Sequence, residues 1–195
     1  MTEPRPRRAA VILTGGTALR LGGADKASLE LEGTSLMEHA MAATAGTDET
    51  VVVGPEVPTS RSVAWTREEP PGGGPAAGLL AGLDALAVRP DLVCVLAVDM
   101  PRFSARTLER LTAAVGSSGE EVDAACLVDE DGRMQWLAGV YRYDALAAAR
   151  PSDRAEEHGL STKRLMSRLR IVAVPAVEDE AHDVDTWEDL RRLGR

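Results

Sequence analysis

Aromatic side chains are scarce in this chain: one Phe, two Tyr and three Trp, or 3% of 195 residues. The core must therefore be built from Val, Leu, Ala and Ile, and little ring surface is left for the stacking platforms that hold single-stranded nucleic acid. Cysteine is rarer still. Cys94 and Cys126 each lie inside an apolar run, where a reduced thiol behaves as a small hydrophobe. Two such residues supply neither a disulfide framework nor metal-ligand spacing. No apolar run is long enough to span a membrane. The stretch Ala9–Leu13, behind a basic N-terminus, stops at Thr14-Gly15-Gly16, too soon for a signal-peptide core. The cytoplasm is the expected compartment. A formal net charge of −9 repels DNA, RNA and anionic lipid, yet leaves room for a small phosphorylated ligand that responds to one loop. Arg5, Arg7 and Arg8 read as a solvated tail over residues 1–8.

Several catalytic signatures are missing too. There is no G-x-S-x-G elbow and no paired Cys/His nucleophile. His39, His158 and His182 have no metal spacing, and no internal repeat or low-complexity linker divides the chain.

What is present is an alternation of β-branched apolar runs with helical patterns, the signature of a single α/β domain over 9–195 around a mainly parallel sheet. Strands are expected at Ala9–Leu13, Thr50–Val53, Val63–Thr66, Leu92–Val98, Asp123–Val128, Trp136–Tyr141 and Ile171–Pro175. Leu92–Val98 is apolar throughout, as a central strand covered on both faces must be. Helices are expected at Ser35–Ala45, Pro75–Ala87, from Ser104 to Val115, and at Ser161–Leu169. A last helix opens at Thr186-Trp187-Glu188-Asp189, a variant capping box.

In such sheets ligands bind outside the carboxyl ends of the strands, and polar segments fall there. Thr14 to Lys26 follows the first strand and carries Gly15, Gly16, Gly22 and Gly23 with Arg20 and Lys26. Glycines let backbone N–H groups approach phosphate oxygens. Arg20 adds a fork of donors and Lys26 a mobile point charge. The segment is neither a Walker loop nor the dinucleotide fingerprint, since both spacings fail. Asp99, before Met100-Pro101, either holds Mg²⁺ against phosphates or merely caps a turn. Asp183 and Asp185 are either helix caps or a second metal-facing carboxylate. Arg67 to Gly78, with Glu68, Glu69 and glycines from Gly72 to Gly74, is either a base- or ribose-contacting loop or a plain connection.

On these residues the chain resembles the molybdenum cofactor guanylyltransferase family, among the glycine-loop nucleotidyltransferases. Leu13, Gly15, Gly16, Arg20, Gly22 and Lys26 match its opening pattern. Glu68 with Gly74 to Gly78, Asp99 with Pro101, and Asp183, Asp185, Thr186, Glu188, Asp189 and Leu190 match its later ones. The chain departs from the family at Thr14 (usually Ala), Gly54 (Asn), Glu68 or Glu69 (Asp), Trp136 (Pro), Asp185 (often Asn) and Trp187 (Pro). Most of these positions concern the base or the acceptor.

The resemblance implies a three-layer sandwich of the Rossmann-like nucleotidyltransferase type. It implies transfer of GMP from GTP, with Mg²⁺, to the terminal phosphate of a molybdopterin-type acceptor, releasing pyrophosphate. Arg20, Lys26 and Asp99 would be catalytic. Leu13, Thr14, Gly15, Gly16, Lys26, Gly54, Glu68, Glu69, Gly74, Gly78 and Asp99 would contact the nucleotide, and Asp99 with Asp185 would hold the metal. Other readings are a sister enzyme using CTP or another phosphorylated acceptor, a non-catalytic nucleotide-binding module, and a dehydrogenase-like domain, the last disfavoured by the missing fingerprint.

Overall fold

The computed structural model describes residues 5–15, 25–117 and 121–194. Seven strands form one sheet: β1 (Arg8–Leu13), β4 (Glu49–Val53), β5 (Ala64–Thr66), β6 (Leu92–Ala97), β7 (Ala124–Val128), β8 (Met134–Arg142) and β9 (Ile171–Pro175). Their spatial order is β5-β4-β1-β6-β8-β7-β9. Six run the same way, and β8 alone is antiparallel to its neighbours β6 and β7. The mainly parallel sheet read from the sequence is therefore what forms.

Period-two alternation within each strand makes the sandwich. Ala10 and Ile12 of β1, Cys94 and Leu96 of β6, and Ala125 and Leu127 of β7 point into one apolar layer. It is closed by α1 (Leu36–Ala43), α3 (Ala105–Ser117) and α6 (Trp187–Leu193). The intervening Val11, Leu13, Val93, Val95, Ala124 and Cys126 point the other way. There α2 (Pro75–Asp84), α4 (Tyr143–Ala148) and α5 (Thr162–Met166) cover them. Because both faces are buried, inner strands must be apolar at every position. Burial pushes the thiols of Cys94 and Cys126 up to about 12, so both are protonated, inert core residues at neutral pH.

Local signals set several boundaries. Ser35 Oγ accepts from the N–H of Glu38 and Ser104 Oγ from that of Thr107, capping α1 and α3. Thr186 and Asp189 form a reciprocal capping box at α6. The sequence reading missed a hairpin of two-residue strands, β2 (Glu30–Leu31) and β3 (Thr34–Ser35), and the six-residue α4. Elements this short contain too few periods for a pattern to register.

One expectation is corrected. Arg8 is not in a solvated tail; it is the first residue of β1 and is buried. Its guanidinium is drawn in by the Glu109 carboxylate at 2.6 Å and the Gly46 carbonyl at 3.3 Å. Arg5 likewise pairs with Asp48 at 2.9 Å. Among the described residues no helix is long and apolar enough to cross a membrane.

The fit of α2 against the sheet rests on Gly82. A Cβ there would lie 2.4 Å from Cγ1 of Val11 and 3.0 Å from Cγ2 of Val53, and β-branched side chains buried in strands have little rotamer freedom. Gly82→Ala is expected to destabilise the fold by about 1–3 kcal/mol through overpacking, despite the better helix propensity of Ala. Urea unfolding checks this; an unchanged or raised midpoint would show that α2 is free to shift.

Candidate functional site

Chain order creates the crevice. From β1 the strands step outward through β4 to β5, and the chain then returns to lay β6 on the other side of β1. This reversal is a topological switch point, and in sheets of this kind the crevice lies there, outside the carboxyl ends of the strands. Thr14 leaves β1 there, and Asp99 follows β6.

Lys26 and Asp185 are brought to the same place. Lys26 opens a 3-10 turn capped by Asp25, whose carboxylate accepts from the Ala27 N–H at 3.1 Å. Its Nζ donates to Oδ2 of Asp99 at 2.8 Å and to Oδ1 of Asp185 at 2.7 Å. The Lys26 side chain is 10% exposed, against 23% for Asp99 and 48% for Asp185. Burial works against its charge, but Asp99 and Asp185 more than offset this, and its pKa is raised. The lysine read from the sequence as a loop cation thus has a structural share as well.

Backbone bonds hold the two acids independently. Val184 N–H donates to the Asp99 carbonyl at 2.8 Å, tying the late loop to the end of β6. Asp185 N–H donates to the Asp189 carboxylate at 3.1 Å, an extension of the capping box. The cap of α6 is Thr186, not Asp183. Burial, then the neighbouring Asp185 and Asp99, raise its carboxyl pKa. Among the described residues no three His, Cys, Asp or Glu gather closely enough to hold a metal alone. The pair Asp99–Asp185 still matches Mg²⁺, which takes one or two carboxylates and completes its shell with phosphates and waters.

The remaining sequence-assigned residues divide. Gly16 and Arg20 lie outside the described residues. Leu13 is buried in β1, and its carbonyl is spent on Val98 N–H at 2.9 Å. Gly15 is exposed at the mouth. Gly74 is the exposed N-cap of α2, with Pro75 behind it. Gly78 is buried beside Leu13 and Val53, where a Cβ would make ordinary contacts at 3.4 and 3.5 Å, and its N–H bonds the Gly74 carbonyl. Glu68 Oε1 accepts from Gly72 N–H at 3.1 Å, bracing its own loop. Glu68 and Glu69 also line a cavity of about 480 Å³ with Arg67, Arg154 and His158.

Two features escaped the sequence reading. His158 and Gly159 buttress the glycine-rich loop: Gly159 N–H donates to the Gly73 carbonyl at 2.9 Å, and a Cβ on Gly73 would come within 3.1 Å of His158 Nδ1. This contact joins segments far apart in sequence and has no local signal. The other is the pairing of Thr14 with Gly54. Thr14 N–H and Oγ1–H both donate to the Val53 carbonyl, at 3.0 and 3.1 Å. Gly54 has φ +146°, and a Cβ on it would lie 1.9 Å from Thr14 Oγ1.

An open, largely parallel sheet with charged side chains gathered at its switch point is the class of α/β protein that handles nucleotides. The comparisons narrow that class. The family model of the MobA-like NTP transferase domain matches residues 10–172, and the chain belongs to this family. A probable molybdenum cofactor guanylyltransferase of Mycobacterium tuberculosis is 38% identical over 170 residues, covering 83% of this chain and 78% of its own. The molybdenum cofactor guanylyltransferase of Cupriavidus necator is 32% identical over 134 residues, 64% of each. In fold, the chain is similar to molybdopterin-guanine dinucleotide biosynthesis protein A of Archaeoglobus fulgidus, with TM-score 0.72, 21% identity, and 95% and 96% of the two chains covered. A 2-C-methyl-D-erythritol 4-phosphate cytidylyltransferase of Thermus thermophilus superposes with TM-score 0.65 at 19% identity over 94% and 96%.

The tight approach of residues 14 and 54 generates an expectation. Gly54→Ala should cost about 1–3 kcal/mol of stability, and Thr14→Ala in the same chain should recover part of it. A double-mutant cycle by urea unfolding measures the coupling; strictly additive effects would mean that the two positions do not compete for one space.

Proposed function

We propose that this chain transfers GMP from GTP to the terminal phosphate of a molybdopterin-type acceptor, with release of pyrophosphate. The observation that carries the reading is the convergence of Lys26, Asp99 and Asp185 at the switch point in a chain of the MobA-like family. Phosphoryl-type transfer asks a protein mainly for positioning and charge stabilisation, and that is what this set of side chains offers.

The division of labour follows from their chemistry. Lys26, on a flexible stem, can reach a phosphate oxygen and stabilise the charge that builds on the α-phosphate and the leaving pyrophosphate. Arg20 is assigned to the same phosphates by its place in the glycine loop. Asp99 and Asp185 would hold Mg²⁺, which supplies Lewis-acid polarisation of the phosphates when bound. Gly15 and Gly74, both exposed and with nothing within 4 Å of the place a Cβ would take, would offer open backbone to the base and ribose. A phosphate acceptor is already ionised near neutral pH, so no general base is required.

Asp99→Asn keeps the shape and one oxygen ligand but removes the charge that attracts a hard cation. Maximal rate should fall and half-saturation for Mg²⁺ should rise together, each by roughly tenfold or more. If a Mg²⁺ titration of pyrophosphate release superimposes on the parent's, Asp99 is only a turn residue.

Base choice is the direct test of guanylyl transfer. Backbone groups placed for guanine's N–H donors and carbonyl are left unpaired by cytosine, at roughly 1–3 kcal/mol for each buried group. Two such losses favour GTP over CTP by about two orders of magnitude in kcat/KM. A panel of four nucleoside triphosphates with purified molybdopterin-type acceptor measures this. Equal constants, or a preference for CTP, would refute guanylyl transfer.

A further inference from the structure

Lys26 has two places to be. The reaction proposed above wants its ammonium on the nucleotide phosphates, yet the structure holds it between Asp99 and Asp185 at 2.8 and 2.7 Å. Oxygens from two carboxylates that both contact one nitrogen converge on a single point. Mg²⁺ bound by the same oxygens sits about 2.0–2.1 Å from each, so ion and ammonium cannot occupy that point together. We propose that Lys26 is the resident counter-ion of the divalent-metal position, bridging the carboxylates until metal and nucleotide arrive and then moving to the phosphates.

Three points support the exchange. Asp99 and Asp185 both bond the same ammonium, at 2.8 and 2.7 Å, and two carboxylates brought this close need a cation between them. The backbone of both acids is held without Lys26, by the bonds Val184 N–H to Asp99 O and Asp185 N–H to Asp189. Lysine is also the suitable cation: a compact charge on a flexible stem can leave, where a guanidinium would be locked bidentate. It follows that divalent metal without nucleotide binds weakly. The phosphates strengthen its binding by giving the displaced ammonium a new partner, and metal and nucleotide are thermodynamically coupled.

The second half of the exchange rests on the transferase reading; the first half does not, and it is tested without nucleotide. Mn²⁺ is titrated by calorimetry into the parent, Lys26→Gln, and Lys26→Gln combined with Asp185→Asn. Lys26→Gln should bind Mn²⁺ roughly tenfold or more tightly than the parent, because a competing charge is gone. Its melting temperature should fall below the parent's in chelator and recover with metal. The double variant should lose the gain. Equal or weaker binding by a folded Lys26→Gln chain overturns the proposal.

A second measurement needs only the parent protein. Lys26 and Lys163 are the chain's two lysines, so Lys163, on exposed surface, is an internal reference for amine acylation followed by mass spectrometry. Saturating Mn²⁺ should raise the Lys26 rate severalfold relative to Lys163, and an unchanged ratio overturns the proposal. A nucleotide panel without turnover would refute the transferase reading and leave both metal results standing.

Discussion

The convergence of three distant pieces of chain on one buried ammonium organises this molecule's functional end. Lys26 follows the loop from β1, Asp99 follows β6, and Asp185 precedes α6; they meet at 2.7–2.8 Å. Such an arrangement is costly to build, because taking charges out of water is repaid only if each finds a partner. Here the cost is limited by leaving Asp185 half exposed and by spreading the negative charge across carboxylates that share one cation. What that arrangement provides is a charged crevice, and on the proposed function it is there that a metal–nucleotide complex would be received.

The sheet beneath it explains why the crevice keeps its shape. β1 is bonded to a parallel neighbour on each side and covered on both faces. The close contacts at its end, Thr14 against Gly54 and Gly82 against Val11, set how near β4 and α2 approach. Two family positions that depart from the usual residues, Thr14 and Gly54, are therefore neighbours in space. The hydroxyl of Thr14 takes the volume that a side chain at 54 would need. Two departures that look independent along the chain form one packing unit.

Much of this was legible beforehand, for physical reasons. Strands buried on both faces must be apolar at every position, so β1, β4 and β6 stand out as runs; capping residues mark α1, α3 and α6 because orphan N–H groups need acceptors. Asp99 and Lys26 were singled out because ligands bind outside the carboxyl ends of strands, although a turn cap was an equal account of Asp99 taken alone. A motif does not distinguish a glycine that admits a ligand from one, such as Gly82 against Val11, that admits a close-packed neighbour. Arg8 was misread because its partner Glu109 is a hundred residues away.

By itself the sequence determined the layer architecture, the direction of most strands and the identity of the charged groups available for chemistry, since those follow from local periodicity and residue type. Only the tertiary structure decided which of those groups meet. The Lys26 bridge, the Thr14–Gly54 contact and the buttress from His158–Gly159 to Gly73 all join residues more than 35 positions apart. No local pattern encodes such contacts. They depend on strand order, and strand order is settled by how the whole set of apolar faces can be buried at once.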